Sequence, residues 1–178
     1  MTETRTKILD LAELAIRRGG FDAASHRDLA GQIGIKSASV HYHYPTKSDL
    51  GVAVVERYKE KVLGALGEPN QKQVSVSDQL GRLVGVYQDA YETAPCLCAV
   101  LGAVSPGLPS AVRDSVNSYF EDLEGWIINA LDGEKDAQTK ARVIISALQG
   151  AMVLGAATNE KDPMADIGPF ISQLASAG

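Results

Sequence analysis

Residues 25–47 read SHRDLAGQIGIKSASVHYHYPTK, two short runs at helical spacing on either side of a glycine. Ser25 stands three residues before Asp28, a capping-box-like helix start, and Leu29, Ala30 and Ile33 then repeat at helical spacing. Gly34 stops that helix. Ser37 is placed to cap a second short helix running to about Tyr44, which Pro45 ends. Thr46, three residues before Asp49, opens a long helix to about Leu66. Two short helices around a tight glycine turn make a helix-turn-helix. In such a unit Val40 is the expected inward anchor, against Leu29, Ile33 and Leu11 or Ala15. Residues 37, 38, 41 and 42 then face outward. Small residues at 37–39 let the helix start approach a duplex closely, where its dipole favours phosphate. His41 and Tyr42 are large, polar-tipped groups able to reach base edges or backbone oxygens, and Lys47 can pair with a phosphate.

Outward from this stretch the chain continues to read as helix. Ile8, Ala12, Ala15 and Ile16 form a stripe that Gly19-Gly20 ends. After it, GEPNQKQVSVS (residues 67–77) is the clearest break between modules. Helical patterns resume at about 76–93 and 95–104. The SPGLPS loop follows, then a helix through Leu131, a break at Asp132-Gly133, and a long apolar helix over about 137–157. A last helix carries Ile167, Phe170, Ile171 and Leu174. The expectation is an all-α protein of about nine helices, with a helix-turn-helix domain at 1–50 and a second helical domain at 51–178.

A content of 45 % hydrophobic and 22 % charged residues is that of a soluble globular chain. The N-terminus mixes charges into its apolar positions and so is no signal peptide. The stretch Val143–Ala157, interrupted by Ser146 and Gln149, is too short to span a bilayer. No membrane partner is expected, and the cytoplasm is the expected compartment. Cys96 and Cys98 are the only cysteines, spaced too closely for a stable mutual disulfide. The net charge of −5 is unevenly spread. Residues 1–50 hold seven Lys/Arg, six Asp/Glu and all three histidines, whereas 51–178 hold ten basic and sixteen acidic residues. Polyanion contact belongs to the N-terminal end.

The stretch Arg5–Tyr58, above all GIKSASVHYHYPTKSDL, resembles the DNA-binding region of the tetracycline-repressor (TetR) family. The matching positions are Ala15, Gly20-Phe21, Leu29-Ala30 with Gly34, and Val40 to Leu50. Two residues depart from the family pattern: His41 replaces the usual recognition-helix tyrosine, and Tyr44 replaces the phenylalanine before proline, adding a hydroxyl that needs a partner. The resemblance implies base-edge contacts from Arg27, Ser37, Ala38 and His41. It implies phosphate contacts from Ser25, Ser39, Tyr42, His43 and Lys47. It also implies a homodimer on a palindromic double-stranded DNA operator, released by a small-molecule effector. No cofactor and no metal are expected, since His41 and His43, two residues apart on a helix, do not face each other.

For the second module the sequence offers candidates of its own. Tyr87 and Tyr91 share one helix face, and Tyr119, Phe120, Trp126 and Met152 add apolar bulk. With Cys96 they are the expected pocket, apolar with a few hydroxyls and suited to a neutral or weakly polar effector. The 137–157 helix is apolar on nearly every face and so must be covered on all sides. Leu148, Ala151 and Gly155, with Phe170, Ile171 and Leu174, are the expected dimer interface. Pro95 is expected to start a helix with Cys96 in its first turn, where the dipole favours thiolate; a redox- or electrophile-responsive regulator is the alternative this raises. A competing class, an all-α enzyme, lacks a base for its thiols, because every histidine falls within residues 26–43.

Overall fold

The computed structural model describes residues 3–69, 74–131 and 133–174. Within them lie nine α-helices: α1 (Glu3–Gly19), α2 (His26–Ile33), α3 (Ser37–His43), α4 (Lys47–Leu66), α5 (Val76–Tyr91), α6 (Leu97–Ala103), α7 (Ser110–Ala130), α8 (Ala137–Thr158) and α9 (Ile167–Leu174). Short 3-10 turns occupy Phe21–Ala23 and Ser105–Gly107, and the described residues contain no strand. The all-α expectation holds.

The local signals explain the boundaries. Ser25 Oγ accepts from the Asp28 amide at 3.1 Å and so caps α2. Thr46 and Asp49 exchange bonds at the start of α4: the Asp49 amide donates to Thr46 Oγ1 at 3.0 Å and the Thr46 amide donates to Asp49 Oδ2 at 2.9 Å. Gly34 takes a left-handed conformation (φ 77°), and the Ile35 amide reaches back to the Ala30 carbonyl at 3.0 Å, closing α2 as glycine C-caps do. Two expectations are corrected. Ser37 does not cap α3; Lys36 holds the cap position with extended backbone and no side-chain bond, and Ser37 is already helical. The helix after Pro95 begins at Leu97, so Cys96 precedes the first turn instead of lying in it.

The chain divides into two compact units, Met1–Glu60 with Leu97–Tyr119, and Lys61–Cys96 with Phe120–Gly178. Two of the three divisions fall inside α4 and α7, and the third falls just before α6. In the first unit Ile8, Ala12, Ile16, Leu29, Val40, Val54, Val55, Leu101 and Val112 are fully buried. Each large aliphatic among them contributes about 1.5–3 kcal/mol by leaving water. Gly51 is a point of close approach: a Cβ there would stand 2.8 Å from the Phe21 ring and 2.9 Å from Val112 Cγ2. An ion cluster ties α1 to α4, with Arg57 Nη2 at 2.8 Å from Asp10 Oδ1 and 3.3 Å from Glu13 Oε2, and Arg17 at 3.4 Å from Glu13 Oε1. Arg17 also lies over the Tyr58 ring.

In the second unit Leu66, Leu80, Leu83, Leu123, Ile127, Leu131, Ile144, Leu148, Met152 and Ile171 are fully buried. The carbonyls at and just past the end of α4, which the helix itself leaves open, are closed by side chains: Arg82 Nη1 donates to Leu66 O at 2.9 Å and Trp126 Nε1 donates to Gly67 O at 2.6 Å. By length and composition α8 could cross a membrane. Its stripe Ala141, Ile144, Leu148, Ala151, Met152 is buried in its own unit, while other faces stay in solvent.

Candidate nucleic-acid interface

α2 and α3 pack against each other around the Gly34 turn, and α2 packs on α1. Val40 and Tyr44 are the two side chains by which the second short helix is fastened inward. The hydroxyl that Tyr44 adds finds its partner in Arg5, whose Nε donates to it at 3.2 Å while the guanidinium lies 5.6 Å from the ring centre. The main-chain carbonyl of Tyr44 meets the buried ring of His26, whose Nε2 is 2.7 Å away.

With Val40 and Tyr44 inside, the rest of α3 is turned outward. Tyr42 is 83 % exposed and stands edge-on to His43 with ring centres 5.2 Å apart. His41 is exposed, and its Nδ1 lies 3.2 Å from the Pro45 carbonyl oxygen. Its ring stacks on His26, centres 4.3 Å apart and planes 12° apart. Ala38 and Arg27 are exposed, and Ser25, Ser37, Ser39 and His43 are half-buried. A hollow of about 470 Å³ lies among Thr4, Ile35, Lys36, Ala38, Ser39, Tyr42 and His43. Lys47, half-buried at the start of α4, is held by its own chain: Nζ is 2.6 Å from Asp22 Oδ1 and 4.8 Å from the centre of the Phe21 ring. That hydrogen bond, and then the lysine charge, hold the Asp22 carboxyl below the usual carboxylate range.

Sequence reasoning missed His26 and Asp22 as parts of this surface. Neither carries a local signal, because the partners that define them lie fifteen and twenty-five residues away. Among the described residues no three His, Cys, Asp or Glu side chains gather into a site for a metal ion.

The second unit brings some of the pocket candidates together and separates others. Tyr87 and Cys96 are buried and meet at Gln149, whose Nε2 donates to the Tyr87 hydroxyl at 2.9 Å and lies 3.7 Å from Cys96 Sγ. Gln149 was read in sequence only as an interruption of an apolar run. Its Oε1, and that of Gln88, are buried without a hydrogen-bond partner. Met152 is buried three residues further along α8. Tyr91 is half-buried and donates to the Glu160 carbonyl at 3.0 Å. Trp126 is among the residues lining a separate groove of about 740 Å³, with Leu63, Gly67, Glu68, Glu121 and Asp122. Phe120 is half-buried in this unit, whereas Tyr119 belongs to the first unit, 5.8 Å from the Tyr58 ring. Neither Cys96 nor Cys98 is in a disulfide, and both are buried.

The interface candidates also divide. Leu148, Ala151, Gly155 and Ile171 are buried within the unit and Leu174 is half-buried, while Phe170 is 51 % exposed. On α8 the large apolar side chains left in solvent are Val143, Val153 and Leu154.

Comparison with known proteins agrees with this geometry. The family model described as bacterial regulatory proteins, tetR family, matches residues 8–54. Over 124 residues the chain is 30 % identical to the nucleoid occlusion factor SlmA of Marinobacter nauticus, a match covering 69 % of this chain and 63 % of that relative. A TetR transcriptional regulator from Legionella pneumophila superposes with a TM-score of 0.90 at 27 % identity, over 98 % of both chains. A TetR-family regulator from Agrobacterium tumefaciens gives 0.87 at 26 % identity, over 96 % of both.

Proposed function

This chain belongs to the tetR family of bacterial regulatory proteins, and from that premise we propose that it is a homodimeric repressor, released from a palindromic operator by a small-molecule effector. One observation carries the DNA contact: α3 leaves Tyr42 83 % exposed in water while Val40, two residues before it, is fully buried. A large aromatic held outward on a short helix is a group waiting for a surface. Arg27, Ser37, Ala38 and His41 then read base edges, and Ser25, Ser39, Tyr42, His43 and Lys47 hold phosphates. Residues 1–50 form the DNA-binding domain and residues 51–178 the effector and dimer domain, in the cytoplasm and without catalysis.

The effector site in this reading is built around Tyr87, Gln149 and Cys96, whose unfilled amide acceptor favours a neutral ligand that donates a hydrogen bond. The exposed Val143, Val153 and Leu154 extend the expected dimer surface beyond the residues read from sequence, of which Phe170 is exposed with them. The identity to a nucleoid occlusion factor favours a second reading, in which the DNA-bound dimer serves nucleoid occlusion instead of a promoter.

The test is selection of bound sequences from random duplex DNA at near-physiological salt, with the oligomeric state measured by sedimentation. A repressor dimer enriches a palindrome with half-sites ~34 Å apart, and its affinity falls steeply with salt. An effector then weakens binding with a coupling of ~1–3 kcal/mol. A monomer that enriches no sequence would sink the proposal. A deletion strain with unaltered transcripts and misplaced division would select the second reading.

A further inference from the structure

His26 is the first residue of α2, is buried, and takes no part in the contacts assigned above. A carbonyl oxygen can only accept, so the 2.7 Å approach of Nε2 to the Tyr44 carbonyl places the His26 proton on Nε2. The same logic fixes the ring above it. His41 Nδ1 lies 3.2 Å from the Pro45 carbonyl, so Nδ1 carries the hydrogen, and in the neutral ring Nε2 keeps its lone pair. His41 cannot turn about its own axis without breaking that bond. It cannot tilt without leaving the face of His26, 4.3 Å below and within 12° of parallel. An exposed imidazole on a recognition helix is thereby given one plane and one tautomer.

We propose that His26 is a positioning residue for sequence discrimination: stacked beneath His41 and anchored to Tyr44, it leaves Nε2 of neutral His41 as a single fixed acceptor aimed outward. That acceptor selects, at one position in each half-site, a base whose major-groove edge donates. Cytosine offers N4 and adenine N6, whereas guanine O6 and thymine O4 only accept. On the strand that His41 reads, the position therefore favours A or C over G or T. The inference rests on the DNA-reading function proposed above. A phenylalanine at 26 would keep a stacking face but leave the Tyr44 carbonyl without its donor and the ring without its anchor, so the support would loosen.

Base preference is read position by position, by selecting bound DNA with the wild-type protein, His41→Ala and His26→Phe. In the wild type one half-site position favours A or C by roughly fivefold, the worth of one neutral hydrogen bond. His41→Ala flattens that position. His26→Phe lowers the preference toward parity while leaving the other positions and the salt dependence unchanged, a pattern that a general loss of packing would not produce. A His26→Phe profile identical to wild type at every position makes His26 a plain core residue and overturns the inference alone. A wild type that enriches no sequence overturns the regulatory reading and this inference with it. Imidazole ¹⁵N shifts of the wild-type protein give a check independent of how the variants fold. The expected forms are Nδ1–H at His41 and Nε2–H at His26, and an Nε2–H tautomer at His41 overturns the proposal.

Discussion

The two units take different kinds of polarity out of water. In the first, neutral groups such as His26 and Ser115 are joined by buried ions, Glu13, Arg17 and Arg57, with Asp10 at the rim. In the second they are neutral amides and a phenol: Gln79 and Tyr87, with the amide oxygens of Gln88 and Gln149. Each charge in the ion cluster meets an opposite one within 3.4 Å, and among its atoms Arg57 Nε is buried without a hydrogen-bond partner. Buried ions tolerate little else, since a charge left alone in the interior costs several kcal/mol. Such a cluster holds α1 against α4 in one arrangement. A neutral amide with an empty acceptor costs about 1–3 kcal/mol at most, so the second unit can carry one and, under the proposed function, offer it to a ligand.

Substitutions can break this contrast, beginning where the effect is largest. Arg57→Met takes from Asp10 and Glu13 the guanidinium they share, and should lower stability by about 3 kcal/mol in urea unfolding. A change below about 1 kcal/mol would mean that the cluster does not hold the two helices. Gly51→Val drives methyls into the Phe21 ring and Val112, for an expected loss of about 1–3 kcal/mol by overpacking. Thermal melting checks it, and an unchanged midpoint would show that α4 can shift outward there. In the second unit Gln149→Leu removes an unfilled acceptor together with one bond to Tyr87, so stability should move by less than about 1 kcal/mol. Its signature should be loss of the effector response instead.

Asp22→Asn should leave folding alone and tighten DNA binding, because Lys47 is released toward phosphate. Lys47 lowers the Asp22 pKa, so the pair persists above the ordinary carboxylate range and is lost only as pH falls through the lowered value. Wild type and variant should therefore differ at neutral pH and converge only in acid, as titrated operator binding would reveal. The smallest expected signal is from the thiols. Buried Cys96 and Cys98 should react with an aromatic disulfide reagent in the folded protein far more slowly than in urea. Fast native labelling of Cys96 would revive the redox-responsive alternative.

What could be read from sequence was whatever is encoded within a few residues. Ser25 with Asp28, Thr46 with Asp49, and Gly34 each act on the adjacent backbone, and the boundaries of α2 and α4 fall where those signals put them. Ser37 misled because a serine can cap or begin a helix, and here the preceding residue already has extended backbone. Pro95 misled for a similar reason, as its fixed φ suits a turn as well as a first helical residue. The stack of His26 on His41 and the meeting of Tyr87, Cys96 and Gln149 were not legible. Each depends on how helices distant in sequence pack, and no spacing rule connects residue 87 to residue 149.

Trp126 is the only tryptophan in the chain. Its indole is nearly buried and its N–H is bonded to Gly67 O, just beyond the last residue of α4. The protein thus carries a built-in optical probe aimed at one place. Selective excitation of that indole reports whether the end of α4 keeps its bond, with no label added. A red shift of the emission on adding a small molecule marks the release of that helix end into water, and titrating the shift measures affinity before any operator is known.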